Sequence, residues 1–115
     1  MRICGMLEAT LTADTGGGAV EFTFTVTNGG TEPAELYFRT GKTADVVVSQ
    51  NDETVWRWGE NRAFTQAIRE LFLNPGEEIS ESFTWHNPPA GKYAATGILE
   101  IEGGPTAKTT FTVSE

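Results

Sequence analysis

The chain has 115 residues and a formal net charge of −8, from 16 acidic and 8 basic side chains. That length suits one domain over residues 1–115, able to build a core without metal or disulfide staples. The acidic balance argues against nucleic acid and anionic membrane surfaces, which reward clustered Lys and Arg, and the single cysteine, Cys4, excludes an intramolecular disulfide.

A first strand is expected over residues 6–13, where Leu7, Ala9 and Leu11 alternate with Glu8, Thr10 and Thr12. Glu8 and the threonines arrive before an apolar stretch can form after Arg2, so no export signal is expected. No window approaches the roughly 18 apolar residues of a membrane span. The cytoplasm is therefore the expected location, and one cysteine agrees with a reducing compartment.

Asp14 to Gly18 reads as a flexible turn. Residues 19–27, AVEFTFTVT, hold period two over four repeats, with Val20, Phe22, Phe24 and Val26 inward and Glu21 and three threonines outward. Asn28-Gly29-Gly30 ends that strand. A third strand is expected over Pro33–Thr40, with Leu36 and Phe38 toward the core. A fourth, Asp45–Gln50, turns through Asn51-Asp52 into a return strand, Thr54–Trp58. Gly59 to Arg62 is a polar break.

Phe64 to Leu73 is ambiguous. Phe64, Ala67, Ile68, Leu71 and Phe72 fit helical spacing, yet the surroundings are β and the run ends at Asn74-Pro75-Gly76; a strand is expected. Glu77–Trp85 alternates again, except that Glu81 falls on the apolar parity. A buried unpaired carboxylate is costly, so an edge or a bulge is expected there. His86 to Gly91 is a turn, Lys92–Glu102 a long strand, and Ala107–Val113 the last. Eight or nine short strands with Gly, Pro and Asn turns and no crossover helix point to an all-β, immunoglobulin-like antiparallel β-sandwich.

All three tryptophans lie between Gly41 and Trp85, so that stretch is expected to hold much of the core. Trp56 and Trp58 share one face of a strand and Arg57 the other. Three readings stand: both indoles in or beside the core, a recognition surface built on Trp56, Arg57 and Trp58, or a platform for stacking sugars. A second route to binding is a rigid loop, for which Asn74 and Pro75, or His86, Asn87, Pro88 and Pro89, are candidates; paired prolines lower the entropy lost on docking. Plain turn chemistry is the alternative for both.

No catalytic constellation stands out. His86 is the one histidine and has no nucleophile or orienting group beside it in sequence. One His and one Cys fall short of a structural zinc site. Asp45, Asp52, Glu53 and Glu60 lack calcium-loop spacing. Neither metal nor cofactor is expected, and the protein is not expected to be an enzyme.

Several pieces, taken in order, resemble the intracellular proteinase inhibitors of the BsuPI type. They are Phe22–Asn28, Phe38–Lys42, Asp45-Val46-Val47-Val48, Val55-Trp56-Arg57-Trp58, Phe64-Thr65-Gln66-Ala67, Leu73-Asn74-Pro75-Gly76-Glu77, Trp85, and Pro89-Ala90-Gly91-Lys92-Tyr93 leading into Gly97. The similarity spans about residues 20–101. It implies an immunoglobulin-like sandwich, a strand over Phe64–Leu71, and inhibition of a cytoplasmic subtilisin-like serine protease. We therefore expect a non-catalytic protein-binding module, monomeric when free, whose partner is such a protease. An adaptor for a non-protease protein is the alternative, followed by a carbohydrate-binding module.

Overall fold

The computed structural model describes residues 7–60, 62–102 and 104–114; Cys4 lies outside them. Nine strands occur among these residues: β1 (Leu7–Gly16), β2 (Ala19–Asn28), β3 (Ala34–Phe38), β4 (Ala44–Gln50), β5 (Glu53–Arg57), β6 (Arg69–Leu73), β7 (Glu78–His86), β8 (Gly91–Leu99) and β9 (Thr106–Val113). They form antiparallel sheets β1-β2-β7 and β5-β4-β8-β9, with β3-β6 as a separate pair. The sheets pack together as an immunoglobulin-like β-sandwich.

The alternation of β2 translates directly into burial. Val20, Phe22, Phe24 and Val26 are at most 2% exposed, while their neighbours stand opposite Thr10, Thr12, Ser80 and Ser82 on the wet face of the sheet. The opposing layer supplies Val46, Val48, Tyr93, Ala95 and Leu99. The layers close to contact at Gly97, where a Cβ would lie 2.5 Å from the Phe24 ring. Gly97→Ala must push that ring into a filled core, so we expect a loss of about 1–3 kcal/mol. Urea unfolding would show it as a lower midpoint at unchanged slope; an unchanged midpoint would mean the layers can part at no cost.

Five rings close a circuit through one half of this core. Phe22 stacks on Trp56 at 6.0 Å, Trp56 on Trp85 at 5.5 Å, Trp85 meets Tyr93 edge-on at 5.1 Å, Tyr93 stacks on Phe111 at 5.5 Å, and Phe111 returns edge-on to Phe22 at 5.5 Å. Such pairs contribute about 0.5–1.5 kcal/mol each beyond the area they bury. As expected, the Gly41–Trp85 stretch supplies much of the core: Ala44, Val46, Val48, Leu73, Phe83 and Trp85 are buried, with Trp56 packed against them, facing Val20, Phe22, Phe24 and Val26 of β2.

The β3-β6 pair prolongs the β2-β7 ladder past an interruption. Asn28 N donates to Glu77 O at 3.0 Å and Gly76 N to Asn28 O at 2.8 Å. The buried Asn28 side chain then donates to Leu73 O and Glu32 O, both at 2.8 Å, and accepts from Gly30 N at 2.9 Å. An amide with two donors and an acceptor can hold three orphan backbone groups at once, which is why the strand stops at this residue. Opposite it, Asn74-Pro75-Gly76-Glu77 forms a turn with Gly76 at φ 84° and Glu77 N donating to Asn74 O. Proline followed by a glycine of positive φ is what a type II turn requires.

Three expectations need correction. The strand expected over Phe64–Leu73 is confined to Arg69–Leu73. Residues 62–68 have no ladder and are held by isolated contacts, among them Gly41 N donating to Thr65 O at 2.9 Å. Of the apolar side chains in that run, Leu73 is buried, whereas Ile68, Leu71 and Phe72 are exposed. The loop expected from Asp14 tightens to Gly17-Gly18, both at positive φ, and β1 runs to Gly16. β8 ends at Leu99 rather than Glu102, because Ile101 N turns back to Leu99 O. Glu81 meets its expectation: it is exposed on β7, an edge strand, in register with Phe24 and without a bulge. An inward-parity charge on an edge discourages further strand pairing.

Candidate functional site

The strands carry the proline loops to different places. His86 ends β7, paired with Ala19, and the loop 87–90 crosses to β8 beside the β1–β2 turn. Asn74 and Pro75 precede the other end of β7. Nine residues separate Glu78 from His86 inclusive, about 26 Å at roughly 3.3 Å per step. One flat contact cannot be centred on both.

The two loops also differ in what holds them. At Asn74-Pro75 the groups are turned on each other: Asn74 N donates to Glu77 Oε1 at 2.8 Å, closing the turn within itself. The loop after His86 is tethered from outside. The Tyr93 hydroxyl donates to Pro89 O at 2.6 Å, and Asn87 N donates to Gly18 O at 2.9 Å. Asn87 takes φ 54°, a left-handed conformation that Asn tolerates better than most residues. His86, Asn87 and Pro89 are exposed and Pro88 is half-buried. Two prolines, two tethers and an exposed crest make a segment whose shape is set before any partner arrives.

Trp56, Arg57 and Trp58 divide as the strand period requires. Trp56 belongs to the five-ring circuit. Trp58 meets Phe83 edge-on at 4.8 Å and Phe64 at 5.8 Å, and the Arg62 guanidinium lies 4.4 Å from its ring centroid. Both half-buried indoles plug the side of the sandwich between β5 and β7, which removes them as an open platform for sugars. Arg57 points the other way, with Nη1 3.4 Å from Asp45 Oδ2.

Asp45 is the residue whose weight the sequence concealed. It is fully buried although it sits on the outward parity of β4, because the chain after Trp58 folds over it. Oδ1 accepts from Val46 N at 2.8 Å and Gly59 N at 2.9 Å; Oδ2 accepts from Lys42 Nζ at 2.7 Å and Arg57 Nη1 at 3.4 Å. Lys42 also reaches Glu100 at 3.4 Å and lies 5.6 Å from the Phe64 ring centroid. A Cβ on Gly59 would fall 2.7 Å from Asp45 Oδ2. The Asp45 carboxylate thus joins Lys42 and Val46 to Arg57 and Gly59, and Lys42 and Gly41 carry the contact on to Phe64 and Thr65. The signal was a lone acid opening a run of valines beside Lys42 and Arg57.

Among the described residues no group of three or more His, Cys, Asp or Glu side chains could hold a metal ion. A shallow open depression of about 350 Å³, lined by Asp14, Thr15, Gly16, Ala19, Glu21 and Thr84, carries two carboxylates and no large apolar wall. Among the described residues no helix is long and apolar enough to cross a membrane.

The model of the BsuPI family, described as intracellular proteinase inhibitor, matches residues 7–103. The chain belongs to the intracellular proteinase inhibitor family. That places it in a family of inhibitors rather than enzymes, as the resemblance implies. The description "intracellular" agrees with the expected cytoplasmic location. Among curated proteins no sequence matches it.

Solved structures extend the fold and nothing more. A β-glucosidase from Kluyveromyces marxianus superposes with a TM-score of 0.54 at 12% identity, over 95% of this chain and 14% of that one. The CARDB domain of PF1109 from Pyrococcus furiosus gives 0.53 at 18%, over 94% of both chains. The sporulation control protein Spo0M from Bacillus subtilis gives 0.53 at 18%, over 95% and 49%. The inhibitor chain therefore spans about a seventh of the first of these.

Proposed function

We propose that this inhibitor acts on a subtilisin-like serine proteinase and that His86, Asn87, Pro88 and Pro89 form the segment it presents. The observation that carries the reading is the double tether of an exposed proline loop, by Tyr93 to Pro89 O and by Gly18 O to Asn87 N. A proteinase binds extended chains through backbone hydrogen bonds and side-chain pockets. A segment already fixed in shape loses little entropy on docking, and Pro88 and Pro89 lack the N–H that a substrate strand would donate. Such a segment occupies a cleft without being processed efficiently. Asn74 and Pro75 serve the β6–β7 turn in this reading, and Trp56 and Trp58 serve the core.

The test removes the stiffness and keeps the fold. In Pro88→Gly/Pro89→Gly the loop gains backbone freedom worth about 0.4–1 kcal/mol per site. We expect the inhibition constant against a subtilisin-like proteinase to rise by about tenfold with the sheet circular dichroism unchanged. An unchanged constant would remove this loop from the contact.

A further inference from the structure

The outward face of the β3-β6 pair has no role in the reading above. Its register sets Glu35 opposite Phe72 and Tyr37 opposite Glu70. The result is a checkerboard: two aromatic rings on one diagonal, two carboxylates on the other. Phe72 is 59% exposed and Tyr37 44%; Ile68, one step before β6 on the same parity, is 61% exposed. Diagonal neighbours in a sheet stand about 7–8 Å apart. Tyr37 and Phe72 make no ring contact with each other among the described residues, and each carboxylate lies next to both rings.

We infer that this face is a second interaction surface, built to take arginine-bearing segments of a partner protein. A guanidinium seated between the rings meets the electron-rich faces of both while Glu35 and Glu70 accept its N–H groups, and its planar fork suits carboxylates on two sides. Among the described residues no arginine pairs with Glu35 or Glu70 or lies over the Tyr37 or Phe72 ring. Arg69 is turned to the other face, 4.6 Å from the Phe38 ring centroid and bonded to Thr40 O and Thr43 Oγ1. Arg39, just past β3, makes no ion pair or ring contact among the described residues. A second copy is a poor occupant, since it would bring Glu35 and Glu70 against their own kind on chains of net charge −8. Charge alone does not explain the face, because its exposed apolar area is concentrated where the carboxylates are.

The inference stands apart from proteinase inhibition, and its test needs no proteinase. A blocked tetra-arginine peptide is titrated into the labelled protein and followed by amide chemical shifts. Saturable shifts are expected over residues 35–38 and 68–73. The dissociation constant should rise about tenfold in Tyr37→Ala/Phe72→Ala and also rise in Glu35→Gln/Glu70→Gln, a surface pair that leaves the core untouched. Asp14→Asn/Glu21→Gln removes equal charge elsewhere and should leave the constant unchanged. Equal weakening by that control, or no weakening by the first two variants, would reduce the binding to diffuse attraction and overturn the proposal. The same amides shifting with protein concentration alone would assign the face to a second copy and overturn it too.

Discussion

Replacing Asp45 by alanine should destabilise the fold by about 3 kcal/mol, the low end of what breaking a buried ion pair costs. The low end applies because the cations left behind are not sealed in: the Lys42 side chain is 18% exposed and that of Arg57 44%, so both can turn to water. The larger part of the loss falls on Val46 N and Gly59 N, which lose their acceptor inside the structure. Asp45→Asn separates the two contributions. It keeps an oxygen for the amides and gives up the charge, and should cost less than half as much. Urea unfolding of both variants measures this, and equal costs would mean that the charge, not the acceptor, secures the β5 exit.

Trp56→Ala should cost about 3 kcal/mol or more, the usual loss for a large aromatic cut from a core. Trp56 closes the five-ring circuit against Phe22 and Trp85, so its removal leaves a void between the layers and opens the flank beside β7. Small domains are stable by only about 5–15 kcal/mol, so part of the population stays folded, and its inhibition constant per folded molecule should match the parent. Thermal unfolding combined with an inhibition titration distinguishes the readings: intact stability with lost inhibition would make Trp56 a contact residue.

What could be read from the residues follows from how local each signal is. β2 was legible because alternation alone decides which face is buried, and Phe22 and Phe24 obey it. Asn51-Asp52 and Asn74-Pro75-Gly76 were legible because the turn geometry needs those residue types: Asn51 and Asp52 both take positive φ. Phe64–Ile68 was not. Its order comes from Gly41, Lys42 and Trp58, which are distant in sequence, and neither helical nor strand periodicity describes a segment without a ladder. Asp45 was opaque for a similar reason, since its burial is created by residues 57–59 folding back, a tertiary event with no local pattern. The loop at His86–Pro89 was visible as rigid from its prolines, but its tethers come from Tyr93 and Gly18, on neighbouring strands. Its separation from Asn74-Pro75 follows from the length of β7, which places two proline turns of similar composition in unrelated surroundings.

The most direct test is a titration of a subtilisin-like serine proteinase with the intact chain at micromolar concentration, following residual activity and the mass of the inhibitor together. Activity should fall linearly to an endpoint at one inhibitor per enzyme, with the inhibitor recovered uncut. Full activity at a molar excess, or steady cleavage of the chain as activity returns, would contradict the account.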